Sequence, residues 1–304
     1  MAQLNRGYLL AGIVPYVIWG TMSVPLRDLK AFLPEEILFY RVFVSCIIIW
    51  LTILIFKWKN LNADFKFFVE LTKRNKFKFV SLTIISSILI SCNWFTYMYA
   101  VNFVSLKSAA FAYLVCPLIT AFCGFIFLKE RVTKSKIIAM TVAIVSIVLL
   151  ATGSVHEVVW SIIIASFYAL YIVILKLIKE VDKFILLGLQ LIISGLLMLP
   201  YHFLKSEPIP IEGLFWGHIF LIAILFTIIP LFLNAYALVG MPSSALGILI
   251  YLNPIVAFTV AFFYFDEKID LAQVFAYCLL LVSIIIFNTS FLDRFFSKKH
   301  TQFG

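Results

Sequence analysis

Residues 213–265 read GLFWGHIFLIAILFTIIPLFLNAYALVGMPSSALGILIYLNPIVAFTVAFFYF, and they include no Asp, Glu, Lys or Arg. As a single α-helix these 53 residues would extend about 80 Å, at about 1.5 Å per residue. The hydrocarbon core of a bilayer is only about 30 Å thick. The stretch therefore predicts two membrane-spanning helices. Residues 240–244, Gly-Met-Pro-Ser-Ser, have the composition expected of the turn between them.

The whole chain of 304 residues shares this character, with 63% hydrophobic and 13% charged residues. Soluble domains are about 45–50% apolar and about 25% charged. The composition therefore excludes a water-soluble enzyme, a secreted scaffold and a disordered chain. Long runs rich in Leu, Ile and Phe indicate helices, because a transmembrane barrel would show short segments of alternating polarity. We expect an all-α, polytopic membrane protein.

Charges, prolines and polar clusters divide the chain into ten candidate spans, here called spans 1–10. They are residues 8–26, 37–56, 79–101, 108–128, 137–152, 158–175, 184–204, 214–237, 243–265 and 271–291. Span 1 contains two prolines and is followed by no small-residue cleavage site, so we expect a retained helix rather than a signal peptide. The five cysteines lie in apolar runs without a C-x-x-C pair, which is typical of small buried side chains.

The distribution of basic residues predicts the orientation. Loops on the side of the N-terminus carry 18 of the 24 Lys and Arg residues, loops on the other side carry 5, and Arg41 lies within span 2. Cytoplasmic loops retain excess positive charge, so both termini are predicted to be cytoplasmic in a multi-pass protein of the inner (plasma) membrane. The basic loop 57–78 is accordingly interpreted as a topology signal and not as a nucleic-acid site.

The chain also resembles itself. From Tyr99 to the end of span 10 the offset is 137 residues, and the firmest matches pair Pro117 with Pro254 and Glu130 with Glu267. Around span 1 the offset is 149, and the difference of 12 corresponds to the longer loop after span 2. We therefore predict two five-helix units, residues 1–153 and 154–304. An odd number of spans per unit inverts the second copy, which is the architecture of secondary transporters with a site near the midplane.

Several short motifs occur in a characteristic order. They are Ile-Trp-Gly at 18–20, Arg41, Asn93-Trp94, Ala-Tyr-Leu-Val-Cys-Pro at 112–117, Leu-Lys-Glu-Arg at 128–131, Tyr-Leu-Asn-Pro at 251–254 and Asp-Glu-Lys at 266–268. In this order the chain resembles the RarD branch of the drug/metabolite transporter superfamily, the ten-span EamA-type carriers. The resemblance implies an inner-membrane carrier of small organic molecules.

Polar and aromatic side chains at membrane depth are the candidate site, because each costs free energy there unless it is partnered. Aromatic rings offer broad faces to planar ligands, and amide and hydroxyl groups fix their orientation. A wider set includes Tyr16, Tyr97 and Tyr171. The predicted substrate-binding residues are Trp19, Arg41, Asn93, Trp94, Tyr113, Tyr168, Asn234, Tyr251 and Asn253. The alternative for each is a role in helix packing.

Arg41 is the only basic residue within a span, about one turn beyond Glu35 and Glu36. It could extend toward the interface and pair with either glutamate, or it could contact substrate. Pro117 and Pro254 occupy equivalent positions in mid-span and are predicted hinges, with a purely structural bend as the alternative. Glu130 and Glu267 are expected to cap the next helix or to pair with Arg131 and Lys268.

All fifteen acidic residues lie in loops or at the ends of spans. Transport driven by proton coupling through a buried carboxylate is therefore not expected. The mechanisms that stay open are facilitated diffusion, exchange and coupling through another group. We expect no cofactor, metal site or enzymatic activity, because no H-E-x-x-H, G-x-S-x-G or P-loop motif occurs. The predicted partners are a small-molecule substrate and the lipid bilayer. A flippase for lipid-linked intermediates, an intramembrane enzyme or sensor, and a monomer or homodimer all remain open.

Overall fold

A computed structural model describes residues 6–104, 106–130, 133–150, 155–179, 181–205, 209–265 and 271–287. Within these ranges all regular structure is helical, and two short π-helical segments occupy Ala100–Val104 and Ile222–Ile228. The α-helices are α1 (Arg6–Gly20), α2 (Ser23–Asp28), α3 (Pro34–Phe56), α4 (Trp58–Glu70), α5 (Lys73–Tyr99), α6 (Leu106–Phe127), α7 (Lys134–Leu150), α8 (Val155–Leu177), α9 (Lys183–Lys205), α10 (Gly213–Leu221), α11 (Ile229–Gly240), α12 (Ser243–Leu249), α13 (Leu252–Phe265) and α14 (Leu271–Phe287).

Seven helical segments of the described chain are long and apolar enough to cross a bilayer. They correspond to predicted spans 1, 2, 3, 6, 7, 8 and 9, and they are Arg6–Asp28, Pro34–Phe56, Lys73–Tyr99, Val158–Leu177, Lys183–Leu204, Gly213–Gly240 and Ser243–Tyr264. Predicted spans 4, 5 and 10 correspond to α6, α7 and α14, of which α7 and α14 have 17 residues each. The protein is an all-helical, multi-pass membrane protein.

The uncharged stretch 213–265 is divided where its sequence predicts. Met241 adopts an extended conformation, with φ −117° and ψ 148°, and Pro242 precedes the first residue of α12. A residue before proline is held away from the helical region, and proline itself cannot continue the hydrogen-bond ladder. The chain therefore reverses between Gly240 and Ser243.

The predicted loop 57–78 contains the amphipathic helix α4, which the sequence analysis missed. Its apolar residues Trp58, Leu61, Phe65 and Phe68 recur every three or four positions, and none of its side chains is buried. Such a pattern is typical of a helix that lies in the membrane interface.

Polar contacts join α4 to the segment between α8 and α9. Lys57 Nζ and Asn60 Nδ2 each donate to Asp182 Oδ2 at 2.8 Å, and the Asp182 backbone N–H donates to Asp64 Oδ2 at 3.0 Å. Partial burial raises the pKa of Asp182, but the hydrogen bonds from Lys57 and Asn60 outweigh it, and the net pKa is below the ordinary value. Because α4 follows α3, it links two distant parts of the chain.

Helix boundaries recur at the two offsets found in the sequence. The segment 6–28 and α3 are followed 149 residues later by α8 and α9, with matching first and last residues. Similarly, α7 is followed 137 residues later by α14. The extra residues that change the offset lie in the region of α4.

Helix contacts also occur in corresponding pairs. The helix α1 packs against α11 and α13, while α8 packs against α5 and α6. Three further contacts join α3 to α9, α6 to α12, and α7 to α14. The buried core lies where α1, α6, α8, α11 and α12 meet.

The contact of α7 with α14 contains two reciprocal hydrogen bonds. Ser146 Oγ donates to the Ala276 carbonyl at 2.7 Å, and Ser283 Oγ donates to the Ala139 carbonyl at 2.9 Å. The offset of 137 relates the two serines to each other and the two alanines to each other. Since 139 lies opposite 283 and 146 lies opposite 276, the two helices are antiparallel.

Candidate functional site

Arg41 lies in a cluster of aromatic side chains from three helices. Its guanidinium carbon is 5.2 Å from the centre of the Trp94 ring, and it is close enough to Tyr97 and Tyr113 to interact with both electrostatically. The rings of these two tyrosines are 5.8 Å apart. We call Arg41, Trp94, Tyr97 and Tyr113 the arginine cluster. It joins α3 to α5 and α6.

Within the described part of the chain, no hydrogen bond or ion pair satisfies the guanidinium of Arg41, whose neighbours are the aromatic rings of Trp94, Tyr97 and Tyr113. Its Nε is buried and makes no hydrogen bond, and no hydrogen bond or ion pair joins it to Glu36. The side chain points among the aromatic rings of α5 and α6 rather than toward the start of α3. Of the two interpretations left open by the sequence, this geometry favours an inward-facing role.

A second cluster lies among α1, α8 and α11. The Trp19 ring meets Tyr16 and Tyr168 edge to face, with centroids 5.7 and 6.1 Å away, and Trp19 Nε1 donates to the Phe226 carbonyl at 2.8 Å. Asn234 Nδ2 donates to the Tyr168 hydroxyl at 3.0 Å. We call Tyr16, Trp19, Tyr168, Tyr171 and Asn234 the tyrosine cluster. Its members other than Trp19 are buried.

Cys116 lies between the two clusters. It lies near the hydroxyl groups of Tyr16, Tyr168 and Tyr251, and also near Tyr113 of the arginine cluster. Residues on α1, α6, α8 and the α12–α13 junction therefore converge on one part of the core. The two clusters are parts of one polar and aromatic region.

Unpartnered polar atoms are concentrated in this region. Among the described residues, five buried side-chain atoms lack a hydrogen-bond partner of good geometry, and four of them are Tyr16 OH, Arg41 Nε, Asn234 Oδ1 and Tyr251 OH. The Tyr16 hydroxyl still lies close to Tyr168 and Asn234, so it is the least isolated of the four. Leaving such a group unpaired costs about 1–3 kcal/mol. Most proteins satisfy buried polar groups, so a concentration of unpartnered atoms in one part of the core makes that part the candidate binding site.

Two of the predicted site residues have packing roles. Asn93 is buried, and its Nδ2 donates to the Ile164 carbonyl at 2.9 Å, which holds α5 against α8. The carbonyl of Asn253 would lie 2.9 Å from a Cβ placed on Gly20. It therefore belongs to the close crossing of α1 and α13. The other predicted binding residues lie in the two clusters or, in the case of Tyr251, beside Cys116.

Sequence reasoning did not select Gln190, although a glutamine within an apolar span is a visible signal. Its Nε2 donates to Ser86 Oγ at 2.7 Å, and one turn along Ser91 Oγ donates to Ser194 Oγ at 2.9 Å. These bonds join α5 to α9. At the offset of 149, Gln190 occupies the position that corresponds to Arg41.

The two predicted hinge prolines differ in their surroundings. The helix α6 continues through Pro117, whereas the helix that contains Pro254 is interrupted at Ile250 and Tyr251, between α12 and α13. Pro254 has no N–H for the Ile250 carbonyl, which instead accepts from Asn253 N at 3.0 Å. The interruption places Tyr251 in the polar region.

Glu130 forms a contact that the sequence did not predict. Its carboxylate accepts from the backbone N–H groups of Ser243 and Ser244 at 2.6 and 3.1 Å, from Ser243 Oγ at 2.8 Å and from Ser244 Oγ. It therefore caps α12 rather than the next helix, α7. Arg131, Glu267 and Lys268 lie outside the described residues. We call Glu130, Ser243 and Ser244 the Glu130 latch.

Two lysines reinforce this end of the molecule. Lys136 Nζ donates to Ser244 Oγ at 3.2 Å, and Lys176 Nζ donates to the carbonyls of Leu238 and Met241 at the end of α11. Met241 itself is fully buried. These contacts close the packing of α6, α8, α11 and α12 around the latch.

Comparisons with known proteins agree on a transporter. The profile of the EamA-like transporter family matches residues 5–152 and again residues 156–289. Uncharacterized transporter YojE of Bacillus subtilis (strain 168) is 25% identical over 95% of each chain. Protein RarD of Streptomyces exfoliatus is 27% identical over 93% of this chain and 88% of its own length.

Further relatives extend this agreement. Protein RarD of Escherichia coli (strain K12) is 23% identical over 99% of this chain and 98% of its own length. A solved crystal structure matches the fold with a TM-score of 0.74, over 92% of this chain and 95% of that chain, at 14% sequence identity. The predicted resemblance and the prediction of a transporter rather than an enzyme are confirmed. The chain therefore belongs to the EamA-like transporter family.

Proposed function

We propose that the protein is a secondary transporter that moves a small organic molecule across the inner membrane by alternating access. The observation that carries this proposal is the set of unpartnered polar atoms in the core. Tyr16 and Arg41 belong to the first proposed unit, residues 1–153, and Asn234 and Tyr251 belong to the second, residues 154–304. A substrate bound there would contact both units, as alternating access requires.

Several observations support ten spans arranged as two inverted units. The family profile matches the chain twice, helix bounds recur at the sequence offsets, and helix contacts occur in corresponding pairs. The reciprocal bonds of Ser146 and Ser283 relate antiparallel helices, one from each unit. Antiparallel equivalents are what an inverted repeat produces.

The orientation of the basic loops assigns sides to this arrangement. With both termini cytoplasmic, the Glu130 latch and Lys176 lie at the cytoplasmic end, and Arg41 lies nearer the outer end. The latch joins a loop of the first unit to a helix of the second. We propose that it closes the cytoplasmic end in one access state.

The site contains no carboxylate among its described residues, and this favours exchange or facilitated diffusion over coupling through a buried acid. Pro254 and the helix interruption beside it supply a hinge next to Tyr251, and Pro117 is the proposed counterpart. The remaining proposed binding residues, Trp19, Trp94, Tyr113 and Tyr168, contribute aromatic rings in the same region of the core.

Transport can be tested with purified protein in liposomes. A defined mixture of amino acids, organic acids, nucleosides and sugars is added outside, and mass spectrometry follows each solute in protein-containing and empty vesicles. We expect at least one solute to enter only the protein-containing vesicles, and to enter faster when the vesicles are preloaded with it. Chemical conversion of the solute, or movement of labelled lipid without any solute, would contradict the proposal.

A further inference from the structure

The arginine cluster defines the charge of the substrate. We infer that the transported molecule is an organic anion whose carboxylate or phosphate group binds the guanidinium of Arg41. This inference rests on the proposed function, because it takes the polar region of the core as the site of a transported solute. It adds the chemical class that the site accepts.

The first argument is uncompensated charge. A charged side chain within a span is costly, and such residues are normally paired. Arg41 has the Trp94 ring as its neighbour, yet no carboxylate pairs with it in the described ranges, and its Nε is buried without an acceptor. A cation over an aromatic ring gains about 0.5–2 kcal/mol, less than a buried charge requires. An anionic ligand supplies the missing partner.

The second argument is that the fold accommodates a neutral residue at the corresponding position. Gln190 occupies it in the second unit, and Ser194 corresponds to Ser45 one turn later, which fixes the register. Gln190 is satisfied by Ser86, while Ser45 Oγ donates to carbonyls of Arg41 and Ala223 at 2.6 and 3.2 Å. Neutral hydrogen bonds are therefore enough to hold the helices together at this position of the repeat. The positive charge of Arg41 is present in the first unit only and is not needed for packing.

The third argument concerns the shape of the binding groups. A guanidinium presents parallel N–H groups that match the two oxygens of a carboxylate or phosphate. The guanidinium carbon lies over the Trp94 ring, and Tyr97 and Tyr113 are close to it. A ligand whose oxygens pair with the guanidinium N–H groups would therefore have its organic part beside these aromatic rings.

The tyrosine cluster supplies the complement for the other end of the ligand. Asn234 Oδ1 can only accept a hydrogen bond and receives none of good geometry, although the Tyr16 hydroxyl lies near it, and the Tyr251 hydroxyl is unpartnered. A ligand that carries a hydroxyl or amino group away from its acidic group would satisfy Asn234. The structure therefore favours a planar or aromatic acid with a donor at its far end.

Binding by the purified full-length protein tests the charge class. Probes are matched in shape and differ in charge: benzoate, benzamide and benzylamine; 4-aminobenzoate and 4-aminobenzamide; indole-3-acetate, indole-3-acetamide and tryptamine; and phenyl phosphate. Thermal unfolding and Trp fluorescence report binding. We expect acids or the phosphate to raise Tm and the amides and amines to leave it unchanged. The phosphate arm separates phosphate from carboxylate recognition.

Variants assign the effect to the guanidinium. Because charge-assisted hydrogen bonds contribute about 1.5–3 kcal/mol, R41Q should weaken binding of the active acid about 10- to 100-fold. R41K keeps the charge but not the paired N–H groups and should fall between. R74Q removes an exposed arginine at the start of α5 and should bind as the unmodified protein does. If R41Q does not fold, the binding of acids to R41K and the comparison of acids with amides on the unmodified protein test the inference instead.

The outcomes separate this inference from the proposed function. Stabilisation by none of the acids, or equal binding of acid and amide, overturns the anion inference. Flux of amides or amines in liposomes without flux of acids also overturns it, while the carrier function stands. Binding of acids that depends on Arg41, without flux of any solute, would support the anion site and contradict transport.

Discussion

Replacing Glu130 with alanine should open the end of the molecule that the Glu130 latch is proposed to close. The carboxylate accepts four hydrogen bonds from Ser243 and Ser244, and both serines are buried. In E130A the hydroxyl groups can turn to other acceptors, but the two backbone N–H groups cannot. Capping substitutions cost about 0.5–2 kcal/mol, and bonds to a charged group contribute about 1.5–3 kcal/mol each.

Two such bonds would sum to about 3–6 kcal/mol, but they share one carboxylate and are not independent, so we expect a smaller loss of about 2–4 kcal/mol from the closed arrangement. Each 1.4 kcal/mol changes a population ratio tenfold, so the closed-to-open ratio should fall about 30- to 700-fold. The E130Q variant keeps the shape of the side chain and should lose less.

Thiol accessibility measures this change. Met241 is fully buried beside the latch, so M241C in a background without the five native cysteines reports opening at that end. We expect a water-soluble maleimide to label M241C slowly, and to label it much faster when E130A is added. E70A, which removes an exposed glutamate at the end of α4, is the control for loss of charge. Equal labelling rates with and without E130A would show that the latch does not hold this end closed.

Three further predictions concern stability. Gly20→Ala places a Cβ 2.5 Å from the Val256 Cβ and 2.9 Å from a backbone carbonyl oxygen, and it should lower the free energy of unfolding by about 1–3 kcal/mol. In Gly195→Ala the new Cβ meets nothing within 4 Å, so this variant should be as stable as the unmodified protein. Thermal unfolding in detergent compares the two variants. Ser146→Ala and Ser283→Ala each remove one reciprocal bond and should lower stability by similar amounts, about 0.5–1.5 kcal/mol, and clearly unequal losses would contradict their equivalence. Hydrogen bonds hold the pKa of Asp182 below its ordinary value in the folded protein, so its stabilising contribution is complete above the unfolded pKa of about 3.9 and is lost as the pH falls through the lower folded pKa. The Tm of Asp182→Asn should therefore fall less steeply on acidification than the Tm of the unmodified protein. Identical slopes of Tm against pH in the two proteins would refute this.

The features that could be predicted from the sequence are those that neighbouring residues determine. The turn at Met241 follows from the adjacent proline, and the seven long helices follow from uninterrupted apolar runs. The repeat offsets found in the sequence recur in the helix bounds. The helix α4 was missed because its lysines and asparagines resemble a loop, although Trp58, Leu61 and Phe65 already show the helical period.

Partners distant in sequence could not be predicted. Glu130 was assigned to neighbouring residues, but its donors are more than one hundred residues away and come together only when α6 packs against α12. Asn93 was assigned to substrate because its amide is polar, and the carbonyl that satisfies it belongs to α8. Whether a polar side chain in a span is satisfied depends on the facing helix, which a single sequence does not identify.

The helix α4 has a thermodynamic consequence for a carrier of the proposed kind. If the two units were identical and inverted, exchanging their conformations would turn the molecule upside down, and its two access states would have equal free energy. The helix α4 occurs once, and it is tied by Lys57, Asn60 and Asp64 to the segment that contains Asp182. These contacts have no equivalent partner in an exact repeat, so in a carrier of the proposed kind α4 would be one feature that makes the two access states differ in free energy. Its ties to Asp182 would then bias the proposed transport cycle without being part of the binding site.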